Sequence, residues 1–464
     1  MPPISQSPIH EVAPQLEAAA TGFVREHRLP GVAAAVVRGD GLAWSHGAGF
    51  ADIPARRAPD DGTLYRIASI TKTFTATAIM QLRDEGRLTL DDPAVQHIPE
   101  LEGADSEVGS VSALTIRRML SHESGLLGDP PGTDWSTARY ESDPAANLAR
   151  VSEIGLRVPP NTQQKYSNLG YQLLGEIVAR LTEMPVVDAI RSRVLEPLGM
   201  RSTAFHPLPA ELAARRAVGY APRAFSDDLR PSIETAISHA EGGLWSCVDD
   251  LAAWIGFQLS APGDERDGVL SAATRREMHR PRYLGDEAWT EAWCIGWYAV
   301  RRNGVTWVQH SGGLHGFITN VCFDPEHQVG AIALINGLGS APDLAMQLGA
   351  IARNALVAHP AAIEPPVPLP EDWAPLLGLY TDREWTQIFR LEWRDGALTW
   401  IEPDEPAWHP TLRATDTADA FLIEPGFRES GEPCEFLRRS DGTVTGVRLG
   451  PQRLQRLAPV EPDQ

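Results

Sequence analysis

Apolar positions at helical spacing open the chain: Ile9, Val12, Leu16, Ala20 and Phe23 fall on one side of a helix. Residues 31–37 and 42–50 then read as two strands around the turn Arg38-Gly39-Asp40-Gly41. A loop rich in Asp, Pro and Arg leads to a second helical pattern, Ile70, Phe74, Ala78 and Leu82. It breaks at Leu88-Thr89-Leu90-Asp91-Asp92-Pro93, which has turn chemistry. Residues 115–120 predict a short helical piece, and 128–165 a loop-rich region over a cleft. Residues 171–181 predict an amphipathic helix, and 194–200 close a further one. Gly242-Gly243-Leu244-Trp245-Ser246 precedes a helix carrying Leu251, Trp254 and Phe257.

The period then changes. Residues 305–310, 317–323 and 329–336 are strand-like runs, and the short connections between them predict antiparallel neighbours. Residues 344–356 predict a helix able to cover that sheet. Strands at the two ends of residues 1–360 thus bracket a helical middle, an α/β (α+β) first domain with an antiparallel sheet and a helical lobe. Residues 361–371 are dense in proline and read as a stiff extended linker. Beyond it the pattern is all β. Runs at 387–393, 397–401, 412–414, 421–423, 434–438, 444–449 and 452–457 alternate with turns such as Arg394-Asp395-Gly396 and Ser440-Asp441-Gly442. A small barrel or sandwich over residues 372–464 is the expectation.

Composition narrows the function more than the fold. With 464 residues, 43% hydrophobic and 22% charged, the chain has an ordinary globular make-up and room for two or three domains. A net charge of −20 argues against nucleic acid and anionic membrane surfaces as partners. Cys247, Cys294, Cys322 and Cys434 are far apart, with neither metal spacing nor a disulfide framework, and suit a reduced compartment. Residues 1–20 have no basic start or apolar run, and no stretch is apolar enough to span a bilayer. A cytoplasmic location is the default expectation. No ligand cluster or Gly-rich phosphate loop stands out, so no metal or cofactor is expected.

Candidate chemistry begins at Ile67-Ala68-Ser69-Ile70-Thr71-Lys72, where a loop becomes the second helix. Backbone N–H groups at a helix start are unpaired and favour negative charge. Lys72 lies one turn from Ser69 on the same face. The chain has only two lysines, Lys72 and Lys165, among 41 basic residues. Arginine cannot give up its proton, whereas a desolvated lysine can, so a lysine here is unlikely to be filler. A hydroxyl beside such an amine has the parts of an activated nucleophile.

Two further fragments follow in order: Tyr166-Ser167-Asn168 before a helix, and His310-Ser311-Gly312-Gly313 at the end of a strand-like run. Ser-x-x-Lys, Tyr-x-Asn and a basic-Ser/Thr-Gly strand together resemble the three-part signature of penicillin-recognising serine enzymes. The branch resembled holds class C β-lactamases, D-alanyl-D-alanine carboxypeptidases, D-aminopeptidases and β-lactamase-like esterases. Leu120-Ser121-His122-Glu123-Ser124-Gly125-Leu126, Glu196-Pro197-Leu198-Gly199-Met200 and Gly242-Gly243-Leu244-Trp245-Ser246 support it. The resemblance covers most of residues 10–355. The region after the linker is similar, in strand rhythm alone, to a lipocalin-like barrel found in some relatives.

The resemblance implies that Ser69 forms an acyl-enzyme, that Lys72 accepts its proton, and that Tyr166 relays a proton to the leaving group. Which of Lys72 and Tyr166 takes the first proton stays open. Asn168 is expected to hold Lys72 and the substrate amide, and the N–H groups of Ser69 and Gly313 to form the oxyanion hole. Substrate binding falls to Asn168, His310, Ser311, Gly312 and Gly313. His310 departs from the lysine that many relatives carry. Mostly neutral at pH 7, it weakens the case for a substrate with a free carboxylate, and it should gain charge as pH falls. His122 reads as a loop hydrogen-bonding residue and His315 as a cleft-rim group. Glu123 and Glu241 can sit near the cleft, but nothing marks them as catalytic, and Lys165 beside Tyr166 either raises the local positive potential or is a solvated surface lysine. Trp135, Tyr140 and Trp245 either line the site or pack as core.

The expected activity is hydrolysis of an amide or ester in a small or peptidic substrate. A penicillin-binding-type peptide cyclase, in which an internal amine replaces water, differs only in the acyl acceptor. A non-catalytic scaffold is the remaining alternative. For the barrel, covering the cleft, self-association into a homo-oligomer and plain stabilisation all stay open.

Overall fold

The computed structural model describes residues 8–458 apart from 40, 105, 107, 223–228, 233–236, 359–366, 383–387, 395, 402–409, 425–429 and 451. The turn positions Asp40 and Asp395, Gln387 at the start of one predicted strand, and residues 361–366 of the predicted linker therefore lie outside the described residues. The chain divides into two units, Met1–His359 and Pro360–Gln464.

The first unit is built on an eight-stranded antiparallel sheet. Its order is Gly41–Gly49, Gly31–Arg38, Val329–Ile335, Phe317–Asp324, Val305–Leu314, Tyr298–Arg302, Glu291–Trp293 and Tyr283–Leu284. Strand Gly31–Arg38 is an unbroken apolar run because both of its faces are covered. Successive side chains point to opposite faces. Ala33, Ala35 and Val37 join the core beneath the helical lobe, while Val32, Ala34 and Val36 join a second core. That second core lies under helices Ala13–Glu26 and Ala341–Ala358, which supply Leu16, Ala20, Leu344 and Leu348.

Helix Thr71–Asp84 runs through the larger core. Sequence spacing gives it one apolar side, yet every residue from Thr71 to Leu82 is buried. Its threonines make this possible, since each hydroxyl finds a partner inside. Thr73 donates to Ile70 O, Thr77 to Thr73 O and Thr75 to Ala240 O, while Thr71 accepts from Leu244 N–H. Phe74 stacks on Trp254 with ring centroids 4.0 Å apart, a pair worth about 0.5–1.5 kcal/mol beyond its burial.

The main differences from the sequence reading concern strands. The short strands Tyr298–Arg302, Glu291–Trp293 and Tyr283–Leu284, which extend the sheet to its last edge, were not expected. The predicted 305–310 strand continues to Leu314. Leu244–Ser246, expected as a lead-in to a helix, is itself a strand between Tyr65–Arg66 and Ala204–Phe205. In the second unit, Gly378–Thr381 adds an eighth strand to the seven expected. It pairs with both Ile388–Arg394 and Gln452–Ala458, closing an up-and-down antiparallel barrel. Closure leaves no unpaired edge. The barrel interior is filled by side chains: Trp400 is fully buried against Tyr380 and Phe389.

Candidate active site

Strand Tyr65–Arg66 delivers the chain to a single 3-10 turn, Ala68–Ile70, from which helix Thr71–Asp84 departs. Ala68 has φ +45°, a left-handed conformation that costs a residue with a side chain about 1–2 kcal/mol. The strained turn leaves Ser69 partly exposed while Ala68 and Ile70 are buried.

Lys72 is wholly buried one turn on. Its Nζ donates to Asn168 Oδ1 at 2.8 Å, to the Glu241 carbonyl at 2.9 Å and toward Ser69 Oγ at 3.1 Å. Two acceptors that can only accept hold two of its hydrogens. The third tetrahedral position faces Ser69 Oγ and can carry either a proton or a lone pair. Burial lowers the Lys72 pKa from 10.5 to about 7, against the opposing pull of Glu241 and Asp129.

Tyr166 hydrogen-bonds Ser69, and burial outweighs that bond in pushing its phenol up. Lys72 Nζ lies 5.0 Å from the Tyr166 ring centroid. Asn168 starts helix Asn168–Thr182, whose N-cap Ser167 accepts from Gly170 N–H. The Asn168 amide Nδ2 donates to Asp129 Oδ1 at 2.7 Å, so its oxygen is fixed toward Lys72.

The opposite wall is the far end of strand Val305–Leu314. Its pairing with Tyr298–Arg302 ends at Tyr298–Gln309, which leaves the edge from His310 to Gly313 unpaired by that strand. The Ser69 turn packs there. A Cβ on Gly312 would stand 2.0 Å from the Ile67 carbonyl oxygen and 2.6 Å from Thr319 Oγ1, so only glycine allows this approach. His310 is buried, and its Nδ1 donates to the Ser311 carbonyl at 2.7 Å. That bond assigns the hydrogen to Nδ1 and leaves Nε2 a bare acceptor. Burial, then the Lys72 charge, push the His310 pKa down to about 3. The gain of charge on acidification expected from the sequence therefore falls below the working range. The Tyr298 hydroxyl donates to Ser311 Oγ at 3.3 Å.

A cavity of about 480 Å³ joins the two walls. Of the eight residues singled out from the sequence, Ser69, Tyr166, Asn168, His310, Ser311 and Gly313 line it. Lys72 lies behind Ser69, and Gly312 lies against Ile67. Trp135, Ile237, Glu291, Ala292, Trp293 and Tyr298 complete the lining. A larger cavity of about 660 Å³, along residues 127–135 and 152–157, shares Trp135 with it but none of the eight.

Several contributors, or for Glu241 the contacts it makes, escaped the sequence reading. Asp129 holds both Asn168 and, at 3.1 Å, Trp135 Nε1. Glu241 gives Lys72 its backbone oxygen, while its buried carboxyl accepts from Tyr140 at 2.6 Å and Gln172 at 3.1 Å. Burial raises the Glu241 pKa, opposed first by Lys72. Trp293 and Tyr298 come from the short strands that were not expected. Their one sequence signal is the aromatic density of residues 293–298. Trp135 lines the cavity, whereas Tyr140 and Trp245 are buried. His315 lines a neighbouring cavity, its ring 6.4 Å from Trp135. Among the described residues, Asp324, Glu326 and His327 could approach a cation, but Asp324 already pairs with Arg353 in a hairpin remote from this chemistry.

A family model described as Beta-lactamase matches residues 16–356. Penicillin-binding protein 4 of Amycolatopsis lactamdurans is 31% identical over 369 residues, covering 76% of this chain and 94% of that protein. Protein flp of Staphylococcus aureus (strain COL) is 27% identical over 321 residues, and the matched part spans 61% of that longer protein. Among solved structures, the octameric penicillin-binding protein homologue from Pyrococcus abyssi superposes with a TM-score of 0.62 at 23% identity, covering 95% of this chain and 99% of that one. SurE does so with a TM-score of 0.60 at 23% identity, covering 97% and 100%. These structures share the fold across nearly the whole chain. No helix among the described residues is long and apolar enough to cross a membrane.

Proposed function

The chain belongs to the beta-lactamase family, and from that premise we propose that it is a serine hydrolase that cleaves an amide or ester bond in a small or peptidic substrate. The observation that carries this reading is Lys72, buried, with two hydrogens held and its third position facing Ser69 Oγ. Lys72 in its neutral form takes the Ser69 proton as Oγ bonds to the substrate carbonyl carbon. The N–H groups of Ser69 and Gly313 receive the oxyanion, where loss of one donor costs about 10²–10³ in rate. Collapse of the tetrahedral species expels the leaving group, which takes up the proton from Lys72 through the Tyr166 phenol. Water then attacks the acyl-enzyme by the same route in reverse.

The cavity also speaks to substrate class. Neutral His310 offers an acceptor where a cation would offer a donor, and the cavity it lines also presents Trp135, Trp293, Tyr298, Ile237 and the acidic Glu291. Such a lining favours a neutral, apolar group beside the scissile bond over a free carboxylate. The same bare Nε2 supports a second reading, in which the acyl acceptor is an amine whose N–H it receives, as in a peptide cyclase of the penicillin-binding type.

A fluorophosphonate probe followed by mass spectrometry tests the first claim: the adduct is expected on Ser69 and absent from Ser69→Ala. An adduct on another serine would overturn the Ser69 assignment, and no adduct at all returns the scaffold alternative. Turnover of a short-chain p-nitrophenyl ester, a D-amino acid amide, nitrocefin and a peptidyl thioester bearing a free amine then separates hydrolysis from cyclisation by product mass.

A further inference from the structure

Helix Ile116–Leu120 ends in a turn whose hydrogen bonds run from Glu123 N–H to Arg118 O at 2.8 Å and from His122 N–H to Met119 O at 3.4 Å. This is the Schellman pattern, in which the residue in His122's place is left-handed and glycine is the usual occupant. His122 sits there at φ +59°. A strained backbone bearing a buried imidazole calls for a reason.

The side chain supplies one. His122 accepts from both neighbours of Tyr166: its carbonyl from Lys165 N–H at 2.8 Å, and its Nδ1 from Ser167 N–H at 3.1 Å. Its ring lies on the Tyr166 ring, centroids 4.2 Å apart and tilted by 30°. Trp293 meets the imidazole edge-on at 4.7 Å. A backbone N–H can only donate, so Nδ1 is bare and Nε2 carries the hydrogen. That Nε2 is buried with no hydrogen-bond partner. A buried donor left unpaired is uncommon, so the ring is kept for its face and for Nδ1. Phenylalanine would give the face without the acceptor, asparagine the acceptor without the face, and glycine neither.

We propose that His122 is a positioning residue for Tyr166, a two-sided clamp that fixes the phenol against Ser69. The role rests on the acyl-transfer reading above. Tyr166 matters most when the leaving group needs a proton, so a displaced phenol harms poor leaving groups selectively.

The test is hydrolysis of aryl butyrates running from p-nitrophenyl to p-methylphenyl by wild type, His122→Gly, His122→Asn, Tyr166→Phe and His122→Gly/Tyr166→Phe. Glycine and asparagine both tolerate the left-handed backbone. His122→Gly is expected to lose less than about threefold in kcat/KM on the p-nitrophenyl ester and about 10²-fold on the p-methylphenyl ester, since kcat/KM reports acylation, the step in which the aryl group leaves. The double variant should be no worse than Tyr166→Phe, because both act through one phenol. His122→Asn, which still serves Ser167 N–H, should lose less than glycine yet show the same trend. It carries the test if the glycine variant does not fold. Equal losses along the series, or additive losses in the double variant, would overturn the clamp. A wild type that the fluorophosphonate fails to label on Ser69 would instead overturn the acyl-transfer reading.

Discussion

Lys72, on the helix behind Ser69, and His310, on the strand edge opposite, are two bases sealed from water on facing walls of one cavity. Burial lowers both. Lys72 comes down from 10.5 to about 7, into the range where it can exchange a proton with Ser69. His310 comes down from 6.5 to about 3 and stays neutral. One physical effect thus makes a switchable base of the first and a fixed acceptor of the second, because they start about four units apart. Their surroundings reinforce the split. Lys72 spends two hydrogens on acceptors and keeps a position for Ser69, whereas His310 spends its one hydrogen on Ser311 and keeps a lone pair.

The largest effect is expected from removing the titration on the lysine side. Lys72→Arg keeps a charge but cannot act as a base, so it should lose about 10²–10⁴-fold in fluorophosphonate labelling rate, nearly as much as Lys72→Ala. Substantial labelling by Lys72→Arg would make the residue electrostatic only and move the base to Tyr166.

Restoring a charge on the histidine side should matter less. His310→Lys is expected to favour a substrate carboxylate over its methyl ester by about one to two orders of magnitude in kcat/KM, the worth of a charge-assisted hydrogen bond of about 1.5–3 kcal/mol. Wild type should treat the pair with the same preference at every pH from 5 to 9. A wild-type preference for the carboxylate that grows on acidification would show that His310 titrates after all.

The smallest effect is expected at Glu241. Its charge opposes the lowering of Lys72, and Glu241→Gln removes that charge while keeping an oxygen for Tyr140 and Gln172. The acid limb of the labelling profile should move to lower pH. A shift to higher pH would mean that Glu241 does not act on Lys72 through charge.

Much of this was legible in the sequence because the signals are local. Ser69 and Lys72 are one turn apart, Tyr166 and Asn168 share a helix start, and His310 to Gly313 lie on one strand. The buried strands announced themselves as apolar runs. The short strands beyond them did not: Glu291–Trp293 and Tyr298–Arg302 have few residues and expose Glu291, Arg301 and Arg302. Helix Thr71–Asp84 hid its burial from Thr71 to Leu82 behind threonines that solve their hydrogen bonds internally. Asp129, Glu241 and His122 were legible at most in part: the sequence places Glu241 near the cleft and reads His122 as a hydrogen-bonding loop residue, but not which groups they hold. Their partners Asn168, Lys72 and Ser167 stand 39, 169 and 45 residues away, and no spacing rule reaches so far.

The most direct measurement is the pH dependence of fluorophosphonate labelling at Ser69 in wild type and Lys72→Arg. A lysine that must be neutral to take the serine proton makes the wild-type rate fall as pH drops through about 7 and level off above about 8. Lys72→Arg should show no such limb, and His310 should add no inflection between pH 5 and 9. A wild-type rate that is flat across this range, or that rises only near the ordinary lysine value of 10.5, would contradict the account.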